Sequence, residues 1–451
     1  MPGHNFYDVT QWANGNPYED IGAVINSILA DIKRSQTDAD CNEGGKPGAV
    51  IFIPSGDYHL RTQVHIDISY LKIMGTGHGF VSSSIRFNTP KSEWKNLHEL
   101  WPGGSRILVD LQANAEDETK GAAFYVKREG KPRISSVEFT NFCIDGLHFA
   151  ADACAAEAEN TYVNGKTGIL VDCAHDSFRI SEMGIIYVEH GVVCRHADAL
   201  SIHDNFIAEC GNCIELRGKG QAAKITDNLL GAGFHGYSIY AENFGGLLVG
   251  ANNVFPRGRS SLHFYGVVRS TVSGNRFHSF YPGMLILENN SSENLISSNH
   301  FFRDREPWPP MMAYDNGLND DFGLLKIHGN HNSIIANHIS ETIAQRYLKP
   351  DGVVPVMIDI AGGCGNYVSS NHIVARCAGG AGAEDSCFGV QVSALLNADS
   401  AEELKIVAVR VADEAVSNVI LDTGREDQCE LDQKKNVFRA LPSPADISMT
   451  N

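Results

Sequence analysis

Short runs of alternating apolar and polar residues recur from Leu200 to Phe302, and each run surrounds an asparagine that usually follows a small or acidic residue. The five asparagines are Asn205, Asn228, Asn253, Asn275 and Asn299, at intervals of 23, 25, 22 and 24 residues (228−205, 253−228, 275−253 and 299−275). A repeat of roughly 20–50 residues is typical of proteins whose units bury their apolar faces by stacking on one another. The pattern therefore predicts a solenoid.

The elements between the asparagines are predicted to be strands, because the apolar runs are too short for an ordinary helix of about 11 residues. A leucine-rich horseshoe has a similar period, but its fixed L-x-x-L-x-L spacing is missing. We therefore expect an all-β chain folded as a right-handed parallel β-helix, with neighbouring coils about 4.8 Å apart. Stacked asparagines would bond to the backbone of the turns. Asn337 and Asn371 continue the pattern after longer intervals, which predicts loops on those coils.

The N-terminal segment has a helical rather than a strand pattern. Its apolar positions are Val24, Ile25, Ile28, Leu29 and Ile32, which follow the period of an amphipathic helix. An open solenoid end exposes strand edges and core, so we predict that this helix caps the first coil. We expect a single domain over residues 1–451. Its parts are a cap at 1–48, coils at 49–425, loop insertions near 88–129 and 303–322, and a polar tail at 426–451.

A second set of predicted strands follows the asparagines by about ten residues. It comprises Gly168–Asp172, Gly191–Arg195, Cys213–Arg217, Ser238–Glu242, Ser261–Tyr265 and Met284–Glu288. Because side chains alternate along a strand, Ile214 and Leu216 are expected to face the core and Glu215 to face outward. Its expected neighbours on adjacent coils are Val193 and Tyr240, so the repeat itself does not require a carboxylate at this position.

The charge of the chain excludes some classes of partner. The net charge is −18 at pH 7 and the Lys and Arg residues are scattered, whereas nucleic-acid-binding proteins present a basic patch or stripe. We therefore expect a neutral substrate and no nucleic acid. No apolar run approaches the roughly 20 residues that span a bilayer, so no membrane partner is expected either.

Cysteine usage and the N-terminal sequence both favour the cytoplasm. The chain has 11 cysteines, an odd number, which is typical of a reducing compartment. The N-terminus lacks the charged and hydrophobic regions of a signal peptide, so we expect a cytoplasmic protein, or a secreted one if a leader has been removed. Cys210 and Cys213 form a C-x-x-C motif without a second pair at zinc spacing. We expect buried thiols there, and neither a metal nor a cofactor.

The segment Ser201–Lys219 concentrates the residues with candidate chemistry. Within one predicted coil it contains His203, Asp204, Glu209, Glu215, Arg217 and Lys219. Breaking a glycosidic bond requires an acid that protonates the leaving oxygen and a carboxylate that stabilises or captures the cationic sugar. Many parallel β-helices process carbohydrate, so analogy of fold favours this chemistry.

Several of these residues also have a purely structural interpretation. Asp204 precedes its asparagine as Asp227 precedes Asn228, so a role in the turn is as well supported as a catalytic one. His203 and Arg217 either orient carboxylates and bind hydroxyl groups or simply lie on a solvated face.

Three residues further along the chain are candidate sugar contacts. Tyr240 beside Glu215, and Trp308 in the insertion at 303–322, offer ring faces on which sugars can stack. Trp308 serves equally well as a packing or subunit contact. Cys387 either lines the pocket or packs in a strand.

The stretches Tyr18–Ile25, Ile53–Tyr58 and His203–Arg217 resemble the inulin fructotransferases and their relatives, the difructose anhydride III hydrolases. The resemblance covers most of the chain. It implies a single-stranded, pectin-lyase-like β-helix, a homotrimer, and active sites at or near subunit interfaces. The acidic pair of the family, an Asp and a Glu 11 residues apart, matches Asp204 and Glu215 (215−204).

The resemblance leaves two activities open. Fructotransferases cut the terminal difructosyl unit from inulin and cyclise it, whereas the hydrolases open difructose anhydride III to inulobiose. The N-terminus and the cysteines favour the hydrolase. We expect Glu215, with a raised pKa, to donate a proton and then activate water, while Asp204 stays ionised. The alternatives are an inulin fructotransferase and a non-catalytic, trimeric carbohydrate-binding β-helix.

Overall fold

The structure is a computed structural model with two compact units. Unit 1 is residues 1–236 and unit 2 is residues 237–451. The described residues are 5–38, 48–79, 103–112, 116–130, 133–146, 164–172, 176–232, 236–255, 258–304, 317–344, 352–378 and 402–440. Each unit is built from short strands that pair in parallel from coil to coil. The fold is the predicted right-handed parallel β-helix, and the division into one domain stays a prediction.

Unit 1 contributes strands to three parallel sheets, named A, B and C. In sheet A they are Phe6–Asp8, Ala49–Phe52, Leu71–Met74, Val137–Thr140, Arg179–Ser181, Ser201–His203 and Lys224–Thr226. In sheet B they are Gly56–Leu60, Ser105–Val109, Cys143–Asp145, Gly184–Ile186, Phe206–Cys210 and Leu229–Ala232. In sheet C they are Val64–Ile66, Ala122–Val126, Thr167–Asp172, His190–Arg195 and Asn212–Arg217. The short strand Gly220–Gln221 lies outside these sheets.

Unit 2 repeats the three-sheet arrangement. Its strands in sheet A are Leu248–Gly250, Thr271–Ser273, Leu295–Ser297, Ser333–Ile335, Tyr367–Ser369, Val419–Leu421 and Val437–Arg439. In sheet B they are Asn253–Val254, Arg276–Ser279, His300–Asp304, His338–Ala344, His372–Ala378 and the antiparallel Glu402–Glu403. In sheet C they are Tyr237–Glu242, Ser260–Tyr265, Leu285–Ser292, Leu325–Asn330, Val356–Gly362, Val407–Val411 and Cys429–Glu430. Phe244–Gly245 is a further short strand, and Asp320–Phe322 and Glu426–Gln428 are 3-10 turns.

The core of each unit is the inside of its coils. In unit 1 the register stacks Ile180, Ile202 and Ile225 on successive sheet A strands, and all three are fully buried. Alternation along the strand explains why every second residue points inward. Stacking of these side chains from coil to coil removes apolar surface from water. This burial stabilises the folded unit by roughly 25 cal/mol per Å² of apolar surface.

The predicted N-terminal helix is present as Pro17–Asp38 and packs on the first coil of unit 1. Asp20 interrupts its helical backbone, and its carboxylate accepts hydrogen bonds from the backbone of Gly22 and Ala23, as an N-cap does. Asn26 then bonds to the backbone of Gln63 at 2.8 Å. The five apolar positions of the predicted helix are buried, as its period requires. No helix in the described ranges has the length and hydrophobicity needed to cross a membrane.

The predicted asparagine ladder forms, with one correction. In unit 1, the backbone N–H and the Nδ2 group of Asn205 both donate to Oδ1 of Asn228, at 3.0 and 2.9 Å. In unit 2 the ladder begins at Asn252, whereas Asn253 was predicted. Asn252 follows Ala251, whose φ of 53° makes the corner, and it is buried, while Asn253 is only half-buried and accepts from Arg276 at 3.1 Å. The ladder in unit 2 is Asn252, Asn275, Asn299, Asn337 and Asn371.

Sequence reasoning missed a second ladder in unit 2. It runs through Asn294, Asn332, Asn366, Asn418 and Asn436, joined by the same pairs of backbone and side-chain donors. Each of the first three lies five residues before a member of the first ladder (299−294, 337−332, 371−366), a spacing that could have revealed it.

Two parts of the predicted coil region differ from the expectation, namely its C-terminal end and the insertion at 88–129. The second ladder carries the coils beyond residue 425, where a tail was predicted, as far as Val437–Arg439. The predicted insertion at 88–129 contains the regular strands Ser105–Val109 and Ala122–Val126.

Candidate active site

Glu215 lies in the sheet C strand Asn212–Arg217, with Ile214 and Leu216 buried on the inner side. The register places Glu215 beside Val193 and Val193 beside Leu170, so alternation correctly predicted that it faces outward. Its side chain is nevertheless only 1% exposed. A buried carboxylate requires partners that replace water, and these lie on the same face of sheet C.

Two basic residues contact the Glu215 carboxylate. His190, one coil earlier, lies with Nδ1 at 2.6 Å from Oε1 of Glu215. Arg217 follows Glu215 by two residues, which brings it to the same face of the strand, and its Nη2 donates to Oε2. Each carboxylate oxygen thus has its own basic partner.

A second carboxylate, Glu118, joins the group from a turn before the strand Ala122–Val126. Both of its oxygens accept from Nη1 of Arg217, at 3.1 and 3.0 Å, and it also forms an ion pair with Arg195. Arg195 and Arg217 are register neighbours in sheet C. Glu118, His190, Arg195, Glu215 and Arg217 form one charged network, named the Glu215 cluster.

The cluster keeps Glu215 ionised. Burial raises the pKa of the Glu215 carboxyl, but the hydrogen bond and charge of His190, the charge of Arg217 and the Asn212 side chain outweigh it and lower the pKa overall. The sequence predicted a raised pKa for a proton donor. In the single chain the pKa of Glu215 is instead lowered, because two basic residues contact its carboxylate.

Asp204 lies at the corner after the sheet A strand Ser201–His203, and its side chain is 58% exposed. Its φ of 56° is left-handed, and Asp227, Ala251, Gly274 and Ser298 have similar values at the equivalent positions before ladder asparagines. Since alanine, glycine and serine also occupy this corner, the turn does not require a carboxylate. The Asp204 carboxylate instead contacts Nδ1 of His203 at 2.7 Å.

The structure does not bring Asp204 and Glu215 onto the same wall of the coil. Asp204 ends a sheet A strand, the sheet B strand Phe206–Cys210 follows, and Glu215 then lies in sheet C. His203 accompanies Asp204, and Arg217 accompanies Glu215. The predicted residues therefore form two separate groups on each chain.

Tyr240, in unit 2, lies in an aromatic cluster on sheet C. Its ring is 5.4 Å from those of Tyr237 and His263, and its hydroxyl donates to Glu242 at 3.1 Å. His263 contacts Glu288 at 3.0 Å. Ring faces next to carboxylates suit sugars, which present apolar faces and hydroxyl groups. Trp308 and Cys387 lie outside the described residues.

The cysteines of the C-x-x-C motif are buried in the coil. Cys210 and Cys213 are fully buried, and the Cys213 thiol donates to the carbonyl of Ile207 at 3.3 Å. Burial raises the pKa of both thiols. Among the described residues, no group of three or more His, Cys, Asp or Glu side chains is placed to hold a metal ion.

Comparison with known proteins shows the family to which the chain belongs. Residues 298–442 match a model described as the beta helix repeat of inulin fructotransferase, and residues 116–309 match one described as periplasmic copper-binding protein (NosD). The chain is 41% identical over 377 residues to the DFA-I-forming inulin fructotransferase of Arthrobacter globiformis, covering 82% of this chain and 89% of that protein. The chain belongs to the inulin fructotransferase family. This confirms the predicted resemblance.

Solved structures of the family extend the match. The DFA-IIIase of Arthrobacter chlorophenolicus A6 in complex with DFA-III is 61% identical, with a TM-score of 0.92 over 98% of this chain and 99% of that one. The same enzyme without its lid is 58% identical, with a TM-score of 0.86 over 98% of this chain and 100% of that one.

Sequence reasoning missed three members of the Glu215 cluster in this inulin fructotransferase family chain. His190 and Arg195 had a usable signal, because they are the first and last residues of the strand that pairs with Asn212–Arg217 one coil later. Glu118 had none, since it lies 99 residues before Arg217 inside a predicted insertion. Only the folded coil brings it to sheet C.

Proposed function

We propose that this protein hydrolyses difructose anhydride III to inulobiose. The observation that carries the proposal is the 61% identity, across 98% of the chain, with a DFA-IIIase solved with DFA-III. Glu215 supports it, because a buried carboxyl group on the outer face of sheet C can exchange a proton with a glycosidic oxygen once a neighbouring negative charge offsets its basic partners. Inulin fructotransferase activity is the alternative, favoured by the 41% identical relative.

In the proposed reaction, Glu215 protonates the departing fructosyl oxygen as the glycosidic carbon–oxygen bond breaks. Asp204 remains ionised and stabilises the positive charge that develops on the sugar. Glu215 then takes a proton from water, and the resulting hydroxide adds to the cationic carbon. One water is consumed, and Glu215 ends protonated as it began.

We propose that the two carboxylates meet across a subunit interface of a homotrimer. Asp204 and Glu215 lie on different walls of one coil, so a sugar held by Glu215 would receive Asp204 from a neighbouring copy. An ionised Asp204 beside Glu215 would also raise the pKa of Glu215, since like charges disfavour ionisation. Assembly would thus supply the protonated Glu215 that the reaction requires.

We also propose a cytoplasmic location. Cys194, Cys210, Cys213, Cys364 and Cys429 are free thiols, as is usual in a reducing compartment.

Product analysis tests the proposed function. The protein is incubated separately with difructose anhydride III and with inulin, and the products are separated by chromatography. We expect inulobiose from the cyclic substrate. If a cyclic dianhydride is released from inulin and no inulobiose forms from difructose anhydride III, the protein is a transferase instead. If neither substrate gives a product, the protein is a non-catalytic carbohydrate-binding β-helix.

A further inference from the structure

Glu118 contacts both arginines of the Glu215 cluster. Its two carboxylate oxygens lie 3.1 and 3.0 Å from Nη1 of Arg217, and it forms an ion pair with Arg195. Arg217 uses its other terminal nitrogen, Nη2, for Glu215. The Arg217 guanidinium therefore bridges two carboxylates, and Glu118 limits the orientations that it can adopt.

The turn that carries Glu118 is held by several hydrogen bonds. Asp117 accepts from the backbone and the hydroxyl of Thr119, at 3.1 and 2.5 Å. Gln63, on the preceding coil, donates to the carbonyl oxygens of Thr119 and Ala122, at 2.5 and 2.9 Å. Glu118 itself is only 16% exposed. A turn fixed on both sides presents its carboxylate to Arg217 in one position.

We propose that Glu118 is a positioning residue of the active site, which holds Arg217 against Glu215 and balances the positive charge of Arg195 and Arg217. The proposal rests on the proposed function, because it takes Glu215 as the proton donor. Glu118 acts through Arg217 and is not assigned a contact with the sugar.

The charges around Glu215 give the sign of the expected effect. The basic groups next to Glu215 are His190, Arg195 and Arg217, and the acidic groups around them are Glu118, Asp117 and Glu189. On the same face of sheet C, Asp172 is the register neighbour of Arg195 and pairs with Lys127. In a Glu118→Gln variant the amide keeps an oxygen that accepts from Arg217, so the guanidinium stays against Glu215. The lost Glu118 charge leaves Arg195 and Arg217 less compensated, so ionised Glu215 becomes more favourable. The pKa of Glu215 should fall by about one unit, the size expected for a unit charge several ångströms away near a protein surface.

The variant Glu118→Gln tests this at constant side-chain size. Because the proton donor must be protonated, the alkaline limb of kcat/KM for difructose anhydride III should move to lower pH by about one unit. Glu129→Gln is the matched control, since Glu129 is an exposed carboxylate paired with Lys127 outside the cluster. Its pH profile should superimpose on that of the unchanged protein.

Infrared titration of the carboxyl groups gives a second readout that does not depend on turnover. The protonated-carboxyl band of Glu215 is the one that is missing from the spectrum of Glu215→Gln. In Glu118→Gln this band should titrate at lower pH than in the unchanged protein. If this band and the pH profile are both unchanged in Glu118→Gln, the proposal is overturned. If the unchanged protein forms no inulobiose but the band shifts as expected, the coupling of Glu118 to Glu215 holds and the proposed function fails.

Discussion

Replacement of Glu215 by Gln is expected to lower kcat for difructose anhydride III by about 10³-fold, within the range that a positioned acid–base group contributes. The amide keeps the size of the side chain but cannot transfer the proton. The amide oxygen can still accept from Arg217 and the amide NH2 can donate to Nδ1 of His190, so the coil should fold as before. Steady-state kinetics across the pH range, with substrate binding measured by calorimetry, separates loss of chemistry from loss of binding.

A matched control is Glu293→Gln. Glu293 is an exposed carboxylate paired with Arg269, so its replacement should leave kcat within about twofold. Retention of more than about a tenth of kcat by Glu215→Gln would remove Glu215 from the proton-donor role, because a lost acid–base group costs at least 10²-fold.

Replacement of Asn275 by Ala should produce the largest loss of stability among the changes considered. Oδ1 of Asn275 accepts from the backbone and side chain of Asn252, at 3.0 and 2.9 Å, and its Nδ2 donates to Val249 and Asn299, at 3.0 and 2.9 Å. Alanine leaves these buried groups without partners, and each costs roughly 1–3 kcal/mol. After local relaxation, we expect a loss of about 3–5 kcal/mol, seen as a lower thermal midpoint in calorimetry.

The neighbouring asparagine provides the control for this change. Asn253 is half-buried and accepts one hydrogen bond from Arg276, so Asn253→Ala should cost less than about 1 kcal/mol. Equal losses in the two variants would contradict the assignment of Asn275 to the ladder and of Asn253 to the surface.

The repeat made most of the fold predictable. A regular interval between asparagines fixes where each corner recurs, and alternation within the following strand fixes that Glu215 faces outward. The choice between Asn252 and Asn253 was less clear, because intervals of 24 and 23 (252−228, 275−252) differ little from intervals of 25 and 22 (253−228, 275−253). The left-handed backbone at Ala251 decides between them, and it is a property of the folded corner.

The candidate site was less predictable than the fold. Glu215 follows Asp204 by eleven positions (215−204), but within a coil that distance takes the chain from sheet A, through sheet B, to sheet C. Nearness in sequence therefore did not mean nearness in space. The lowered pKa of Glu215 depends on His190, and Arg217 is in turn held by Glu118; both His190 and Glu118 reach this strand only when separate coils stack.

Mixed trimers of two inactive variants test most directly whether Asp204 and Glu215 act together across an interface. Asp204→Asn and Glu215→Gln chains are unfolded together in equal amounts, refolded, and assayed for release of inulobiose. With one carboxylate from each of two neighbouring subunits, random assembly restores both in about a quarter of the sites, so we predict about a quarter of the original activity. Mixtures no more active than either variant alone would contradict the account.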